Sequence, residues 1–587
     1  MAASGSTTMA GAATIAAATH PDRPALRFKH GDEWVDVSYR DLARTVDELA
    51  LGLIDLGIAQ GDRVAILSNT RPEWTYANFA IAAAGAITTS IYQTNSTEEC
   101  GYVLRHSGAS AVFVEDCEQL AKVRAIAEDL PGLAAIVVMA PDGDIGDAIS
   151  LAQLRERSQH REAAELEQRV AAVAPADPFL FVYTSGTTGP PKACVLTHGN
   201  YRSVLDMVER RGVVEDRELV YLFLPLAHAF ALLIQFVVLD LGGTLAYWER
   251  VREKIIPNLI EVKPSSFPSV PRVFEKIYTL ATAGAADRAK LDEEIQVGLE
   301  VRRLRARGDD VAPDLQAAFD EAEAGLFANV RGLFGGRIRQ SITGAAPIAI
   351  EILEFFYACG VLVMEGYGMT ETSTVAACNV TSDFRFGSVG RPLPGQEIAI
   401  ADDGEILLSG PNIFHSYHDD PRATEEALRG GWLHTGDLGH QDEDGYLYVT
   451  GRKKDIIITA GGKNITPSNL ENGLKRSRWI SQAVVVGDRR PYLIALIALD
   501  AEETGAFAAE HGLTVEDLPR SEAMAAEVQR AVDAVNSEVG PVEQIKRFAI
   551  LPTDLTQETG ELTPSLKVKR GFVATKYGED VERLYAT

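Results

Sequence analysis

The sequence predicts an α/β protein: a large N-terminal α/β domain of several subdomains with a small β-barrel, followed by a smaller α+β C-terminal domain. Three observations support this class. Short apolar runs alternate with helical patterns early in the chain, which is typical of a mostly parallel sheet with helices. A helix-rich segment interrupts the alternation, and short alternating stretches between Gly, Pro and Asp turns follow it. The length of 587 residues exceeds one compact core, so several domains are expected.

The first elements follow from the spacing of apolar residues. The segment from Asp41 to Leu56 places apolar side chains at helical spacing, and the run from Arg63 to Leu67 is a short buried strand. The runs from Ala111 to Val114 and from Ala134 to Met139 repeat the strand pattern, with helical stretches between them. This alternation indicates a layered α/β body.

Two later segments depart from this pattern. Residues from about 275 to 330 are rich in Ala, Glu, Arg and Leu and poor in β-branched residues, with a break from Gly308 to Pro313. They predict a helical hairpin inserted in the α/β body. After Gly390, short alternating stretches between turn residues predict antiparallel hairpins of a small barrel.

The chain is predicted to divide into a lead-in and two domains. Residues 1–20 are mostly small and apolar, with no early Lys or Arg, so we expect a flexible lead-in and not a signal peptide. The turn from Gly451 to Asp455 predicts the boundary between an N-terminal domain, residues 21–452, and a C-terminal domain, residues 453–587.

Composition and charge exclude several classes of function. The formal net charge of −27 repels nucleic acid and anionic membrane surfaces, so no nucleic-acid partner is expected. The five cysteines are scattered and form no CxxC pair, which indicates a reducing cytoplasm and no disulfide framework or zinc site. The apolar run from Phe230 to Tyr247 is interrupted by Gln235 and Asp240, so we expect a buried strand or helix and not a membrane span.

A loop rich in glycine and threonine carries the strongest chemical signal. It follows the apolar run from Phe179 to Tyr183 and has the sequence Thr184-Ser185-Gly186-Thr187-Thr188-Gly189-Pro190-Pro191-Lys192. Its glycines let the backbone approach a ligand, and successive amides, hydroxyls and a lysine provide donors suited to polyphosphate. Ala193 after Lys192 departs from the Walker pattern. Taken alone, the segment also fits a flexible surface loop.

This loop, with Tyr183 before it, resembles the phosphate loop of the adenylate-forming superfamily of acyl-CoA synthetases, luciferase-like enzymes and peptide-synthetase adenylation domains. Further segments resemble the family's motifs in the same order over about residues 20 to 580. They are Leu224 to His228 at the acyl pocket, Thr343 to Pro347 at the adenine, Glu365 to Thr372 at the nucleotide and magnesium, Gly431 to Asp437 and Tyr448 to Asp455 at the ribose and hinge, and Gly560 to Lys567 as the C-terminal lysine motif. Seven motifs in order make a chance match negligible.

The resemblance implies an ATP site and assigns its residues. The implied nucleotide contacts are Thr184, Ser185, Gly186, Thr187, Thr188, Gly189, Lys192, Gly344, Ala345, Glu365, Gly366, Tyr367, Gly368, Thr370, Asp437, Arg452 and Lys567. Glu371 and Thr184 are implied to hold Mg²⁺, Asp437 and Arg452 to bind the ribose, and Tyr367 to flank the adenine. A carboxylate that attacks the α-phosphorus of ATP meets another anion, so such a site must neutralise charge.

The implied catalytic positions are Lys567, Thr184, Glu371 and His228. Lys567 is expected to bridge the substrate carboxylate and the α-phosphate, because a flexible point charge suits that task. Lys569 and Arg570 are also basic, but the family's pattern selects Lys567. His228 is expected to form a wall or gate of the acyl pocket and not to transfer a proton.

The resemblance also implies a mobile C-terminal domain. Lys454 occupies the hinge position, and Gly461, Gly462 and Lys463 are implied to build the thioester-forming site for CoA after the domain turns. One pocket then serves two half-reactions, formation of an acyl-adenylate and its transfer to CoA.

Among branches of the superfamily, the long-chain fatty acid–CoA ligases of bacterial type are the nearest resemblance. The helical insert, the segment from Gly431 to Asp437 with Arg452 to Asp455, and the segment from Thr459 to Pro467 resemble that branch. The apolar run from Ala229 to Ile234 suits an alkyl tail but also suits a core strand. The predicted partners are a long-chain fatty acid, ATP and CoA, with Mg²⁺.

Other functions stay open at this stage. A fatty acyl-AMP ligase that loads a carrier protein often carries an insertion near the hinge, and the segment from Asp455 to Pro467 contains none. A CoA ligase for a medium-chain or aryl acid is a second alternative. A degenerate nucleotide sensor is disfavoured because Glu371, Asp437 and Lys567 are all present. The sequence leaves peripheral membrane contact open and does not decide between a monomer and a homodimer.

Overall fold

Two mixed β-sheets flanked by helices form the body of the protein. The computed structural model describes residues 5–184, 190–282, 288–460, 463–563 and 567–586. The first part of the chain contains α1 (Ala12–Thr19), β1 (Pro24–His30), β2 (Glu33–Ser38), α2 (Tyr39–Asp55), β3 (Arg63–Leu67), α3 (Pro72–Ala83), β4 (Ile87–Ile91), α4 (Thr97–Ser107), β5 (Ala109–Val114), α5 (Cys117–Arg124), β6 (Ala135–Val138), β7 (Ile149–Ser150), α6 (Leu151–Glu156), α7 (Ala163–Ala172), β8 (Pro178–Thr184), β9 (Lys192–Thr197) and α8 (His198–Arg211).

The second part alternates strands with helices and contains the helical insert. Its elements are β10 (Leu219–Leu222), α9 (Ala229–Asp240), β11 (Thr244–Tyr247), α10 (Ile255–Val262), β12 (Ser266–Ser269), α11 (Pro271–Thr282), α12 (Arg288–Arg307), α13 (Pro313–Ala322), α14 (Ala328–Leu333), β13 (Gln340–Thr343), α15 (Ile350–Ala358), β14 (Val363–Tyr367), β15 (Ala377–Cys378) and β16 (Arg391–Pro392). Helices α11 to α14 occupy the segment that was expected to form a helical hairpin, and α12 and α13 pack on each other across the predicted break.

Strand order explains how distant motifs come together. One sheet has the order β19-β9-β8-β4-β3-β5-β6-β7 and the other β16-β15-β14-β13-β12-β10-β11-β1-β2, where β19 is Ser416–Tyr417. The central strands pair in parallel, so their carboxyl ends share one edge of each sheet. In such sheets, ligands bind outside the carboxyl ends of the strands.

The segment after β16 forms the antiparallel hairpins that the sequence predicts. Its remaining elements are β17 (Glu397–Ile400), β18 (Glu405–Ser409), α16 (Pro421–Ala427), β20 (Leu428–Arg429), β21 (Trp432–Gln441) and β22 (Leu447–Arg452). The pairing runs β17-β18-β21-β20, with β22 on β21. Within the described residues, this pairing forms a five-stranded sheet and does not close into the predicted barrel.

A small α+β unit ends the chain. It contains β23 (Ile457–Ile458), β24 (Asn464–Ile465), α17 (Pro467–Leu474), β25 (Ile480–Val486), β26 (Leu493–Leu499), α18 (Ala501–Glu510), α19 (Glu522–Ser537), β27 (Ile545–Ile550), α20 (Arg570–Lys576) and α21 (Gly578–Ala586). Strands β25, β26 and β27 form its sheet, with hydrophobic clusters on both faces. Strand β26 is apolar at every position because both of its faces are buried.

The expectation of a flexible lead-in is wrong for the described residues before Thr19. Helix α1 packs against α2 and α9, and Met9, Ala12 and Ala16 are buried. The Met9 N–H also donates to Nδ1 of the buried His198 at 3.2 Å. Small apolar side chains let this helix lie close to its neighbours, which composition alone did not reveal.

The apolar run that suggested a membrane span consists of α9 followed by β11, and both elements are buried. Within α9, Gln235 is buried and accepts a hydrogen bond from Thr75 Oγ1 at 2.6 Å. Among the helices that the structure describes, none is both long and apolar enough to cross a bilayer.

Candidate active site

The predicted site residues lie mainly where strands end. Thr184 is the last residue of β8, Tyr367 the last of β14, and Arg452 the last of β22. Gly344 follows β13 directly. The topology therefore brings four motifs from distant parts of the sequence to the carboxyl ends of strands.

Asp437 is the buried centre of the ribose corner, which we define as Asp437, Tyr367 and Arg452. Asp437 is only 4% exposed. Its Oδ2 accepts a hydrogen bond from the Tyr367 hydroxyl at 2.8 Å, and its Oδ1 lies 2.9 Å from Arg452 Nε. Burial, and then the charge of Asp437, raise the pKa of Tyr367 well above its usual value, so the phenol stays a donor. A carboxylate oxygen accepts more than one hydrogen bond, so this arrangement still allows ligand hydroxyls to bind.

Strand pairing fixes this corner. Asp437 on β21 is the direct cross-strand partner of Arg452 on β22. The charge of Asp437 is also the main reason that the pKa of Arg452 is raised. The sequence assigned Asp437 and Arg452 to the ribose and Tyr367 to the adenine, and the structure joins all three through one carboxylate.

Glycines allow two backbone segments to approach each other beside this corner. A Cβ on Gly344 would lie 3.2 Å from the Gly366 carbonyl oxygen, and one on Gly368 would lie 2.0 Å from the Thr374 carbonyl oxygen. Ala345 has a φ of 69°, in the left-handed region that costs an alanine about 1 kcal/mol or more. The surrounding turn therefore holds a strained backbone conformation next to the predicted adenine position.

Glu371 is anchored by a residue that the sequence did not single out. Its Oε1 accepts a hydrogen bond from the Tyr417 hydroxyl at 2.6 Å. The thiol of Cys194 on β9 is fully buried. Burial, followed by the charge of Glu371, raises the pKa of Cys194 well above its usual value. The hydrogen bond from Tyr417 thus fixes the carboxylate of one predicted metal ligand.

Lys192 also lies close to Tyr417. Its Nζ is 5.2 Å from the centre of the Tyr417 ring and 3.6 Å from Asp420 Oδ2. The Thr184 hydroxyl donates to the Lys192 carbonyl at 3.4 Å, so the two ends of the predicted phosphate loop are joined. Five predicted contacts between these ends lie outside the described residues: Ser185, Gly186, Thr187, Thr188 and Gly189.

Lys567 is contributed by the C-terminal unit. Its backbone pairs with Thr563, and its side chain is open to solvent. Desolvation of its ammonium group, and then the charge of Arg452, lower the pKa of Lys567, while Asp437 and Glu371 act in the opposite direction. These charges belong to the ribose corner and to the predicted metal ligand.

His228 is the N-cap residue directly before α9. Its Nδ1 accepts a hydrogen bond from the Phe230 N–H at 3.2 Å, which caps the helix. Burial, and then the charge of Lys567, lower its pKa to about 4. The ring is therefore neutral at neutral pH, which suits a pocket wall better than a proton donor.

Two other predicted contacts occupy the segment around β14. The Glu365 carboxylate accepts a hydrogen bond from the Gly387 N–H at 3.2 Å, and burial raises its pKa to about 8. Thr370 begins the short 3₁₀ turn that carries Glu371. Glu365 thus has a structural partner inside the N-terminal body.

The predicted hinge lies between residues held by different units. Lys453 forms ion pairs with Asp403 and, at 3.3 Å, with Glu405 of β18. Asp455 lies 3.8 Å from Arg570 of α20. Lys454 is exposed between them. Of the predicted CoA-step residues, Lys463 forms an ion pair with Glu543 at 3.3 Å, whereas Gly461 and Gly462 lie outside the described residues.

Family models match most of the chain. A model of the AMP-binding enzyme family matches residues 14–418, and a model of the AMP-binding enzyme C-terminal domain matches residues 454–587. The long-chain-fatty-acid–CoA ligase FadD15 of Mycobacterium tuberculosis is 38% identical over 94% of this chain and 92% of its own length. The long-chain-fatty-acid–CoA ligase ACSBG1 of Homo sapiens is 31% identical over 96% of this chain and 83% of its own length.

Solved structures show the same fold at lower sequence identity. The anthranilate CoA ligase AuaEII in complex with anthranoyl-AMP has a TM-score of 0.75 and 19% identity, with 98% of both chains covered. A Mycobacterium tuberculosis fatty acyl CoA synthetase has a TM-score of 0.62 and 22% identity, over 98% of this chain and 99% of that one. These similarities confirm the predicted α/β fold class with a large N-terminal and a smaller C-terminal unit.

Proposed function

Because the chain belongs to the AMP-binding enzyme family, we propose that it is an AMP-forming long-chain fatty acid–CoA ligase. It uses ATP to convert a long-chain fatty acid to an acyl-adenylate and then to acyl-CoA. One observation carries the proposal: the buried Asp437 accepts a hydrogen bond from the Tyr367 hydroxyl at 2.8 Å and lies 2.9 Å from Arg452 Nε, so three residues of the expected nucleotide site meet at one carboxylate. Relatives at 38% and 31% identity, both long-chain-fatty-acid–CoA ligases by name, support the choice of acid and acceptor.

The first half-reaction joins two anions. A fatty-acid carboxylate oxygen attacks the α-phosphorus, and the bond from that phosphorus to the leaving pyrophosphate breaks. Lys567 pairs its ammonium with both anions as they approach, while Asp437 and Arg452 hold the ribose. Thr184 and Lys192, with the loop between them, hold the β- and γ-phosphates. Charge neutralisation by fixed groups is the main source of rate in such a reaction.

Thr184 and Glu371 fit a Mg²⁺ ion. Both offer oxygen donors, and Tyr417 fixes the Glu371 carboxylate. Among the described residues, no three His, Cys, Asp or Glu side chains gather into a metal cluster. A single carboxylate suits Mg²⁺, which commonly keeps several waters and takes its other ligands from substrate phosphates. When bound, the ion supplies positive charge to the polyphosphate.

The second half-reaction requires a different group near the adenylate. The CoA sulfur attacks the acyl carbon, and the bond from that carbon to the AMP oxygen breaks. We propose an N-terminal domain that includes α1, ends at residue 452 and carries a helical insert at about 275–330, and a C-terminal domain of residues 453–587 that turns about Lys454. Gly461, Gly462 and Lys463 then approach the acyl-adenylate. His228 acts as a wall of the acyl pocket, and the enzyme works in the cytoplasm.

A screen of acids tests the proposal. Pyrophosphate release is measured from acetate to oleate and with aryl acids, with and without CoA. We expect the highest kcat/KM with long-chain acids and the formation of acyl-CoA and AMP. Acid-dependent pyrophosphate release without any CoA thioester would instead indicate transfer to a carrier protein, and a preference for aryl acids would refute the assigned substrate.

A further inference from the structure

Helix α4 holds both ends of the predicted phosphate loop. His106 Nδ1 lies 2.9 Å from the Tyr183 hydroxyl, and the Tyr102 hydroxyl donates to the Pro191 carbonyl at 3.0 Å. Tyr183 directly precedes Thr184, and Pro191 directly precedes Lys192. His106 therefore binds the side chain next to the first loop end, and Tyr102 binds the backbone next to the second.

The two helix residues act as a unit. Tyr102 and His106 lie four positions apart, the spacing that brings side chains together on one helix face. Their rings stack with centres 5.3 Å apart and an interplanar angle of 25°. The Tyr183 hydroxyl also donates to the Val103 carbonyl of the same helix at 3.4 Å. Tyr183 is buried, so this contact is shielded from water.

A second segment supports the same cluster from the opposite side. The His418 ring meets the His106 ring edge-on at 5.4 Å and lies against Phe181 of β8 at 4.7 Å. The backbone N–H of His418 donates to the carbonyl of Ala193, the residue after Lys192, at 2.9 Å. The cluster is thus packed between α4 and the segment after β19, with the loop ends between them.

We propose that Tyr102 and His106 are positioning residues for the triphosphate of ATP. They fix the separation and direction of Thr184 and Lys192 through Tyr183 and Pro191, and they do not themselves contact the substrate. This inference rests on the proposed function. It deepens that function because it predicts different effects on two groups of ligands. Binding of ATP and pyrophosphate should depend on the loop, whereas binding of AMP and acyl-adenylate, which lack the β- and γ-phosphates, should not.

The test compares His106→Ala, Tyr102→Phe and the double variant in the full-length protein. The KM for ATP in pyrophosphate exchange and the affinities for ATP and AMP by calorimetry are measured for each. Loss of one hydrogen bond of ordinary strength weakens binding about fivefold, so we expect about a fivefold rise in KM for each single variant and more for the double variant. The affinity for AMP and thioester formation from supplied acyl-adenylate should stay within about twofold of wild type.

Matched variants separate positioning from general stability. His440→Ala removes a comparable ring stack, since His440 lies 4.9 Å from Tyr448 on the five-stranded sheet, and it should leave the KM for ATP unchanged. Tyr102→Phe keeps its ring stack, so it tests the hydrogen bond if His106→Ala fails to fold. His106→Asn retains a polar side chain near Tyr183 and should restore part of the ATP affinity.

Two outcomes overturn the proposal: equal loss of ATP and AMP affinity, or unchanged ATP affinity in the double variant. The proposed function fails separately, if the wild type releases no pyrophosphate with any acid. In that case the ratio of ATP to AMP affinity still decides whether the two residues position the loop.

Discussion

The ribose corner and the surroundings of Lys567 differ in how they are held. Asp437 is buried, and both of its carboxylate oxygens have partners within the N-terminal body. Lys567 is open to solvent, and the paired residues Leu562 and Val568 beside it adjoin the buried Glu561, whose carboxylate binds Lys576 and Tyr577. Burial alone would raise the pKa of Glu561, but hydrogen bonds from Lys576 and Thr559 hold it at about 2. In the proposed function, the nucleotide therefore binds to a corner held within the N-terminal body, and the proposed catalytic cation comes from a separate unit.

The contacts between the units fit this difference. Arg272 pairs with Asp500, Arg476 lies 3.1 Å from Glu351, and Gln557 Nε2 donates to the Thr94 carbonyl at 3.4 Å. Partly exposed ion pairs of this kind contribute only about 0–1 kcal/mol each. Such small energies are consistent with the proposed rotation of the C-terminal unit about Lys454.

Removing the ammonium group of Lys567 should have the largest effect on adenylation. Lys567→Ala should slow adenylation by about 10³-fold, because the two reacting anions lose a fixed positive charge. Thioester formation from supplied acyl-adenylate should persist, since that step does not use Lys567. Pyrophosphate release and acyl-CoA formation are measured separately. Equal loss of both half-reactions would contradict the division of labour between the two regions.

A change in the rigid region should weaken binding in both half-reactions. Asp437→Asn leaves the charge of Arg452 without its partner and removes an acceptor for the ribose, so we expect about a 10²-fold loss of affinity for both ATP and AMP. Calorimetry with each nucleotide measures this. A loss confined to ATP would place Asp437 near the phosphates and not the ribose.

A change at the hinge should slow the second half-reaction and spare the first, which is the reverse of the effect expected for Lys567→Ala. Lys454→Pro fixes φ between two residues tied to different units, so acyl transfer to CoA should slow about tenfold or more while adenylation is spared. Single-turnover rates of the two steps measure the split. An unchanged overall rate would mean that the rotation occurs at another residue.

The smallest effect should come from Tyr417→Phe, which leaves Glu371 in place but removes its hydrogen bond. We expect about a fivefold rise in the Mg²⁺ concentration needed for half-maximal adenylation. A magnesium titration of pyrophosphate release measures this, with His440→Ala as the control. If the variant lowers the rate equally at every Mg²⁺ concentration, Tyr417 does not act through the metal site.

The sequence by itself determined the fold class, the order of the motifs and the residue types at the site. Strand–helix alternation is a local signal that predicts the fold class, and the ordered motifs that resemble those of the adenylate-forming superfamily single out Thr184, Glu371, Asp437 and Lys567. The helical insert followed in the same way from composition.

Only the tertiary structure decided which groups hold those residues in place. Tyr417 reaches Glu371 across 46 positions, His106 reaches Tyr183 across 77, and Tyr102 reaches Pro191 across 89. Such contacts depend on strand order and side-chain direction, which no local period encodes. The burial of α1 was missed for the same reason, because a helix of small residues carries a weak signal until its neighbours are known.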